Sequence, residues 1–343
     1  MSIMLQEIRQ QPAALERTLC AERHHVARLA GTLKKLQPHL IVLVARGTSD
    51  NAALFGRYLI ELVAGIPVSL SAPSIHTLYR RKLMLKNALV VGISQSGEGR
   101  DINVVLESCK KRGAFVLAIT NSEQSTMAAI AHDTLVTRAG TERSIAATKT
   151  YTCQLMLLYM LVEALKNVDF SPLERIPQYA DSALALAPRI DSIIERYRFV
   201  DRFAVVGRGL NYASANELAM KLMETCYILA ERFSSADFLH GPIAMVQRDF
   251  PVILFAAPGR VLRDLRALAA RLRSLHADST IISSEKSILK YASCAIEIPL
   301  KIPDLYSPIP YIIPGQLFAA KLSALKGLSP DHPRGLSKIT DTL

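Results

Sequence analysis

The sequence predicts an α/β protein made of two tandem, doubly wound parallel-sheet units of flavodoxin-like type, related by internal duplication. Three observations carry this. Strand-like apolar runs alternate with helical patterns, which argues for parallel sheets covered by helices. The runs starting at 41, 88 and 115 recur at 203, 251 and 280, a displacement of roughly 163 residues each time. At 343 residues, half of them apolar, the chain is too long for one ordinary core and suits two.

In order, a helix ends near Leu36, strand Ile41–Ala45 follows, and a helix runs from about Asn51 to Ala64. Strand Val68–Leu70, strand Ala88–Ile93, helix Asp101–Lys111, strand Phe115–Thr120, a short strand Thr134–Val136 and a long helix Thr148–Leu165 complete the first half. Two polar helical stretches reach about Arg198. Then Phe203-Ala204-Val205-Val206-Gly207-Arg208-Gly209-Leu210 restarts the pattern of Ile41-Val42-Leu43-Val44-Ala45-Arg46-Gly47-Thr48, with Pro251–Ala256 and Thr280–Ser284 as later strands. Ligands of such sheets sit beyond the carboxyl ends of the strands, at the switch point of strand order. Gly47-Thr48-Ser49 and Ser94–Gly97 both fall at such ends.

The segment Gly92-Ile93-Ser94-Gln95-Ser96-Gly97-Glu98 joins an apolar run to a helix. Glycine lets the backbone approach an anion, amides at the helix start point at it, and hydroxyls add donors. Neither a Gly-Lys-Ser/Thr ending nor a Gly-x-Gly-x-x-Gly spacing is present, so the loop suits one phosphate on a small molecule and not a nucleotide.

The net charge of +11 raises the question of nucleic acid. Its basic residues are dispersed, with Arg80-Arg81-Lys82, Lys110-Lys111-Arg112 and the arginines 263, 266, 271 and 273 in separate segments without aromatic interleaving. A solvated surface is the expectation, with no nucleic-acid partner, and the charge favours anionic metabolites at long range. The five cysteines stand singly without a Cys-x-x-Cys pair, against a zinc site and against a disulfide framework. Glu7, Arg9, Glu16 and Arg17 interrupt the N-terminus as a signal peptide would not allow, and the apolar stretch 59–72 is too short to span a bilayer. The expectation is a cytoplasmic protein with no membrane partner, no metal and no cofactor.

In the helix from Tyr212 to about Cys226, Glu217, Lys221 and Glu224 share one face at spacings of four and three. Apolar Leu218, Ala219, Met220, Leu222 and Met223 around them predict burial, and buried charge needs partners or a pocket. A surface ion-pair ladder and a site both fit this helix alone. His240, in Phe238-Leu239-His240-Gly241-Pro242, fits a structural turn residue or a proton shuttle near neutral pH. The tail Pro333-Arg334-Gly335-Leu336-Ser337-Lys338 is compact and turn-rich, and its lysine is either solvated or folded over a site.

Taken together, Gly47-Thr48-Ser49, Ser94-Gln95-Ser96-Gly97-Glu98, Ala139-Gly140-Thr141-Glu142 with Ala147-Thr148-Lys149, Glu217/Lys221/Glu224, His240-Gly241-Pro242 and Pro333-Arg334 with Lys338 resemble, in order, the isomerase half of glucosamine-6-phosphate synthase. That half is built of two sugar isomerase (SIS) domains. The resemblance runs from about residue 20 to 343 and implies a first domain with an N-terminal helix over 1–185, a second over 186–328 and a tail over 329–343 that folds over the active site. It implies that Thr48, Ser49, Ser94, Gln95, Ser96 and Gly97 hold the sugar phosphate and that Glu224 moves a proton between C1 and C2. It also implies that His240 opens the ring from across a homodimer interface, while Lys338 meets the open-chain sugar and Lys221 lies near the reacting oxygens. Gly99, Arg100, Ala147, Arg46 and Leu239 depart from the family pattern, which bears on substrate identity and not on the reaction centre.

No catalytic cysteine stands at the chain start as in the synthase's glutaminase half, so the expectation is that glutamine is not used. Stand-alone relatives are commonly deaminases, which implies conversion of glucosamine 6-phosphate and water to fructose 6-phosphate and ammonia. A fructosamine-phosphate deglycase, another aldose–ketose phosphate isomerase, and a non-catalytic sugar-phosphate sensor are the alternatives.

Overall fold

The computed structural model describes residues 1–166 and 168–338. They form two compact units, each assembled from separated stretches of chain. One comprises Ala13–Glu142, Lys149–Arg175 and the described residues 335–338; the other comprises Met1–Pro12, Arg143–Thr148 and Ile176–Arg334.

In the first of these units, strands β1 (Ile41–Val44), β2 (Val68–Leu70), β3 (Leu89–Ser94), β4 (Phe115–Thr120) and β5 (Asp133–Val136) pair in the order β2-β1-β3-β4-β5, all parallel. This is the flavodoxin-like order, with its switch point between β1 and β3. Every residue of β1 and β3 is buried, as expected of runs covered by helices on both faces. The flanking helices Thr48–Ala64, Arg100–Lys110 and Lys149–Leu165 lie within three residues of their expected limits.

His76, on the short helix Pro73–Thr77, is buried with Nδ1 3.3 Å from Ser108 Oγ. Burial lowers its pKa below the ordinary 6.5. Between the folded value and 6.5 only the unfolded chain binds this proton, so stability is lost as pH falls through that window. A His76→Gln variant should therefore lose less melting temperature than the parent when pH is lowered from 7 into this window; an equal loss would remove His76 as the source.

The other unit repeats the pattern. Strands β6 (Arg202–Gly207), β7 (Leu229–Ser234), β8 (Pro251–Phe255), β9 (Asp278–Ser283) and β10 (Cys294–Glu297) pair in the order β7-β6-β8-β9-β10, again all parallel. Thus β6 takes the place of β1 and β8 that of β3, as the duplication predicts. The core between this sheet and the helix Leu262–Ser274 is built from Val206, Val252, Leu254, Leu265, Leu268 and Leu272. Strand β7 was not foreseen in the sequence. Its residues Leu229-Ala230-Glu231-Arg232-Phe233-Ser234 bury only Ala230 fully, because it is an edge strand whose charged residues discourage further pairing.

The helix Ile3–Arg9 belongs to this unit. Its first amides, Ile3 and Met4, donate to the Asp331 carboxylate at 2.8 and 2.7 Å. The buried Glu7 carboxylate accepts from the amides of Arg143 and Ser144 at 2.5 and 3.2 Å. Among the described residues no helix is long and apolar enough to cross a membrane.

Candidate functional site

At the switch point of the first sheet, two loops meet at the carboxyl ends of β1 and β3, which are neighbours in register. After β1, Gly47 turns the chain at φ 58° and Thr48 opens a helix without a side-chain cap. Ser49 is buried and accepts from Gln154 Nε2 at 3.0 Å. After β3, Ser94 Oγ accepts from the Gly97 amide at 3.1 Å, and Ser96 Oγ from the Glu98 amide at 3.2 Å. The Gly97 carbonyl accepts from Asn103 Nδ2 at 3.2 Å and from the Met127 amide at 3.0 Å. Gly97 has φ +69°, and a Cβ placed there would lie 2.3 Å from Ser125 Oγ. Only glycine suits both the left-handed backbone and the close approach. The loop is thus fixed from below while two helix starts without side-chain caps lie beside it, an arrangement that favours an anion. Thr48, Ser49, Ser94, Gln95, Ser96 and Gly97 all lie at these two adjacent strand ends.

Two departures from the family pattern gain a physical meaning. Arg46 Nε donates to Asp101 Oδ2 at 2.7 Å, with the arginine half exposed and the aspartate buried. A guanidinium is thereby fixed beside the first turn of helix Arg100–Lys110, a pairing that sequence separation concealed. Gly99 caps that helix, and a Cβ there would meet Ile102 Cδ1 at an ordinary 3.4 Å. A Gly99→Thr variant should fit and add a hydroxyl to the loop. One hydrogen bond to a charged group is worth about 1.5–3 kcal/mol, so calorimetric titration with inorganic phosphate as the probe should give a Kd lower by roughly ten- to 150-fold. An unchanged or higher Kd would mean that the loop has no place for the hydroxyl.

In the other unit, helix Tyr212–Cys226 carries Glu217, Lys221 and Glu224 on one face. Glu217 and Lys221 have side chains with no exposure, whereas that of Glu224 is 25% exposed. Lys221 Nζ donates to Glu224 Oε2 at 2.5 Å and lies 3.5 Å from Glu217 Oε1. The burial rules out a solvated ladder. One ammonium between two carboxylates is held by the buried partner and presents the other, partly open one, as a proton-transferring group requires.

Glu224 stands in the last turn of its helix, five residues before β7 begins, and so at the amino ends of β6 and β7. His240 caps the short helix Ser235–Leu239 that follows the carboxyl end of β7. The two are separated by a six-residue strand, about 20 Å at 3.3 Å per residue. Within one chain His240 and Glu224 are therefore not brought together.

Lys338 Nζ lies 3.5 Å from Glu142 Oε2, a pairing within the unit that holds the Ser94–Gly97 loop. Sequence reasoning noted Glu142 only as part of a motif. Among the cysteines, Cys153 is fully buried, and burial pushes its thiol up to about 12; burial likewise takes Cys109 and Cys226 up to about 11. These thiols are not nucleophiles at neutral pH.

Two parallel five-stranded sheets of one topology, with a buried carboxylate–lysine helix in the second, define a tandem doubly wound α/β class, and the family comparison gives it a name. The SIS domain profile matches residues 36–164 and 198–326, and the chain belongs to the SIS domain family. It is 33% identical over 342 residues to a glutamine–fructose-6-phosphate aminotransferase (isomerizing) of Pyrococcus horikoshii, covering 98% of this chain and 57% of that protein. The chain thus spans little more than half the length of that relative. Among solved structures it resembles the C-terminal domain of the glucosamine-fructose-6-phosphate aminotransferase of Francisella tularensis, at TM-score 0.89 and 29% identity over 97% of this chain and 98% of that one. It also resembles a glucosamine-6-phosphate deaminase of Thermotoga maritima, at TM-score 0.80 and 22% identity over 99% and 100% of the two chains. At that identity the second likeness concerns the fold alone.

Proposed function

We propose that this chain is a phosphosugar isomerase that acts as a deaminase, converting glucosamine 6-phosphate and water to fructose 6-phosphate and ammonia. The observation that carries this reading is the Glu217–Lys221–Glu224 helix, where a partly exposed carboxylate is bonded to a wholly buried ammonium. The aminotransferase relative, whose name includes fructose 6-phosphate, supplies the substrate class.

In the proposed reaction Thr48, Ser49, Ser94, Gln95, Ser96 and Gly97 bind the 6-phosphate, and His240 assists ring opening to the free aldehyde. Glu224 removes the C2 proton, leaving an enolamine between C1 and C2, and returns a proton to C1. As the amine gives up a proton and the C1 oxygen takes one, C1 becomes a hydroxymethyl carbon and C2 an imine. Water adds to that carbon, the C–N bond breaks, and ammonia leaves with the ketose in place. Negative charge on the C1 oxygen develops during proton removal, and the ammonium groups of Lys221 and Lys338 stabilise it. Because β7 separates His240 from Glu224, the proposal takes His240 from a second copy of the chain, as a homodimer.

Ammonia release from glucosamine 6-phosphate by the purified protein, followed with a coupled dehydrogenase, is the direct test. Turnover supports the reading, and its absence at substrate concentrations that calorimetry shows to be bound overturns it in favour of a sugar-phosphate sensor.

A further inference from the structure

We propose that Glu142 is a positioning residue for the reaction: it holds the ammonium of Lys338 at a fixed place, so that a lysine near the end of the chain can serve chemistry. The inference rests on the proposed amino-sugar reading. Its physical basis is the way Glu142 is held. Its side chain has no exposure, so its carboxylate would be costly without donors. Oε1 accepts from the Thr150 amide at 3.1 Å, and Oε2 is bonded to Thr150 Oγ1. Thr150 is in the first turn of the buried helix Lys149–Leu165, where the amide dipoles favour a carboxylate. Lys149 Nζ donates to the Thr141 carbonyl at 2.6 Å and fixes the same loop from behind.

Residues 335–338 form no helix or strand. A lysine loses up to about 2 kcal/mol of rotamer freedom when ordered. The 3.5 Å pairing with an immobile acid ties this side chain, which stays 29% exposed. Glu142 also borders a cleft of about 1030 Å³ together with Gln95, Asn121 and Arg138. The residue that anchors the tail lysine therefore shares a cleft wall with Gln95 of the phosphate loop.

The test is a double-mutant cycle on the full chain, with kcat and KM for ammonia release measured for the parent, Glu142→Gln, Lys338→Met and the double variant. Misplacing a catalytic group by an ångström can cost up to about 100-fold. Glu142→Gln should lower kcat by about tenfold with KM within about twofold, and the double variant should be no slower than Lys338→Met. Losses that multiply in the double variant, or an unchanged kcat in Glu142→Gln, would overturn the proposal. A second readout needs no turnover: acetylation of Lys338 by an amine-reactive ester, mapped by mass spectrometry against exposed Lys286. Labelling of Lys338 should rise several-fold in Glu142→Gln, and an unchanged rate would overturn the anchoring. Should Glu142→Gln not fold, Thr150→Val, which loosens the carboxylate and keeps its charge, should shift kcat and labelling the same way; no shift in either would overturn the proposal. If the parent releases no ammonia, the amino-sugar reading falls and with it the role in that reaction, while labelling decides the anchoring on its own.

Discussion

Glu224→Gln should abolish turnover and leave sugar-phosphate binding in place. The substitution keeps the shape and the hydrogen bond from Lys221, which lies 2.5 Å away, and removes only the capacity to take and return a proton. General acid–base groups contribute about 10²–10⁴-fold, so kcat should fall by at least about a hundredfold. Calorimetric Kd for fructose 6-phosphate should stay within a few-fold, because the loop proposed to hold the phosphate lies in the other unit. A single measurement also separates an enzyme from a sensor. If the parent turns over and the variant keeps more than a tenth of that rate, Glu224 is not the proton carrier.

The second large effect is on stability. Lys221→Met removes the ammonium that neutralises Glu217, whose side chain has no exposure. Breaking a buried pair by deleting one partner costs about 3–5 kcal/mol, because the remaining charge loses its counter-ion. The chain contains no tryptophan, so unfolding is best followed in urea by far-ultraviolet circular dichroism. The first transition should move to clearly lower urea in Lys221→Met. Adding Glu217→Gln should recover most of the loss, since no buried charge then remains unmet. If the double variant is as unstable as the single, the loss comes from packing around the lysine stem and not from charge.

The sequence was legible where the determinant is local. The Ser94–Gly97 loop is a run of small residues between a buried strand and a helix start, and Gly97 is demanded by its own backbone and by the adjacent Ser125. The repeats were legible because fully buried parallel strands read as continuous apolar runs, as in β1 and β3. Edge strand β7 escaped because half-exposed, charged residues carry no such signature. The helix face of Glu217, Lys221 and Glu224 followed from 3.6-residue periodicity, but its choice between ladder and site needed burial, which is tertiary. The Arg46–Asp101 and Glu142–Lys338 pairs join residues far apart in the chain, and nothing in local spacing foretells them. The separation of His240 from Glu224 was hidden because it is set by β7, the strand without an apolar signature, whose extended course carries its ends apart.

The two amides that open the first helix are satisfied by a carboxylate 328 and 327 residues away, and this has a kinetic consequence. Each unit draws on three separated stretches of chain, so during synthesis Ser2 can cap the Leu5 amide of helix Ile3–Arg9 at once, but the Ile3 and Met4 amides must wait for Asp331. Closing so long a loop is entropically expensive before it is rewarding, and contacts of high sequence separation slow folding. A nascent chain stalled before residue 331 therefore leaves the Ile3 and Met4 amides without this acceptor, and the first helix open to proteases and chaperones.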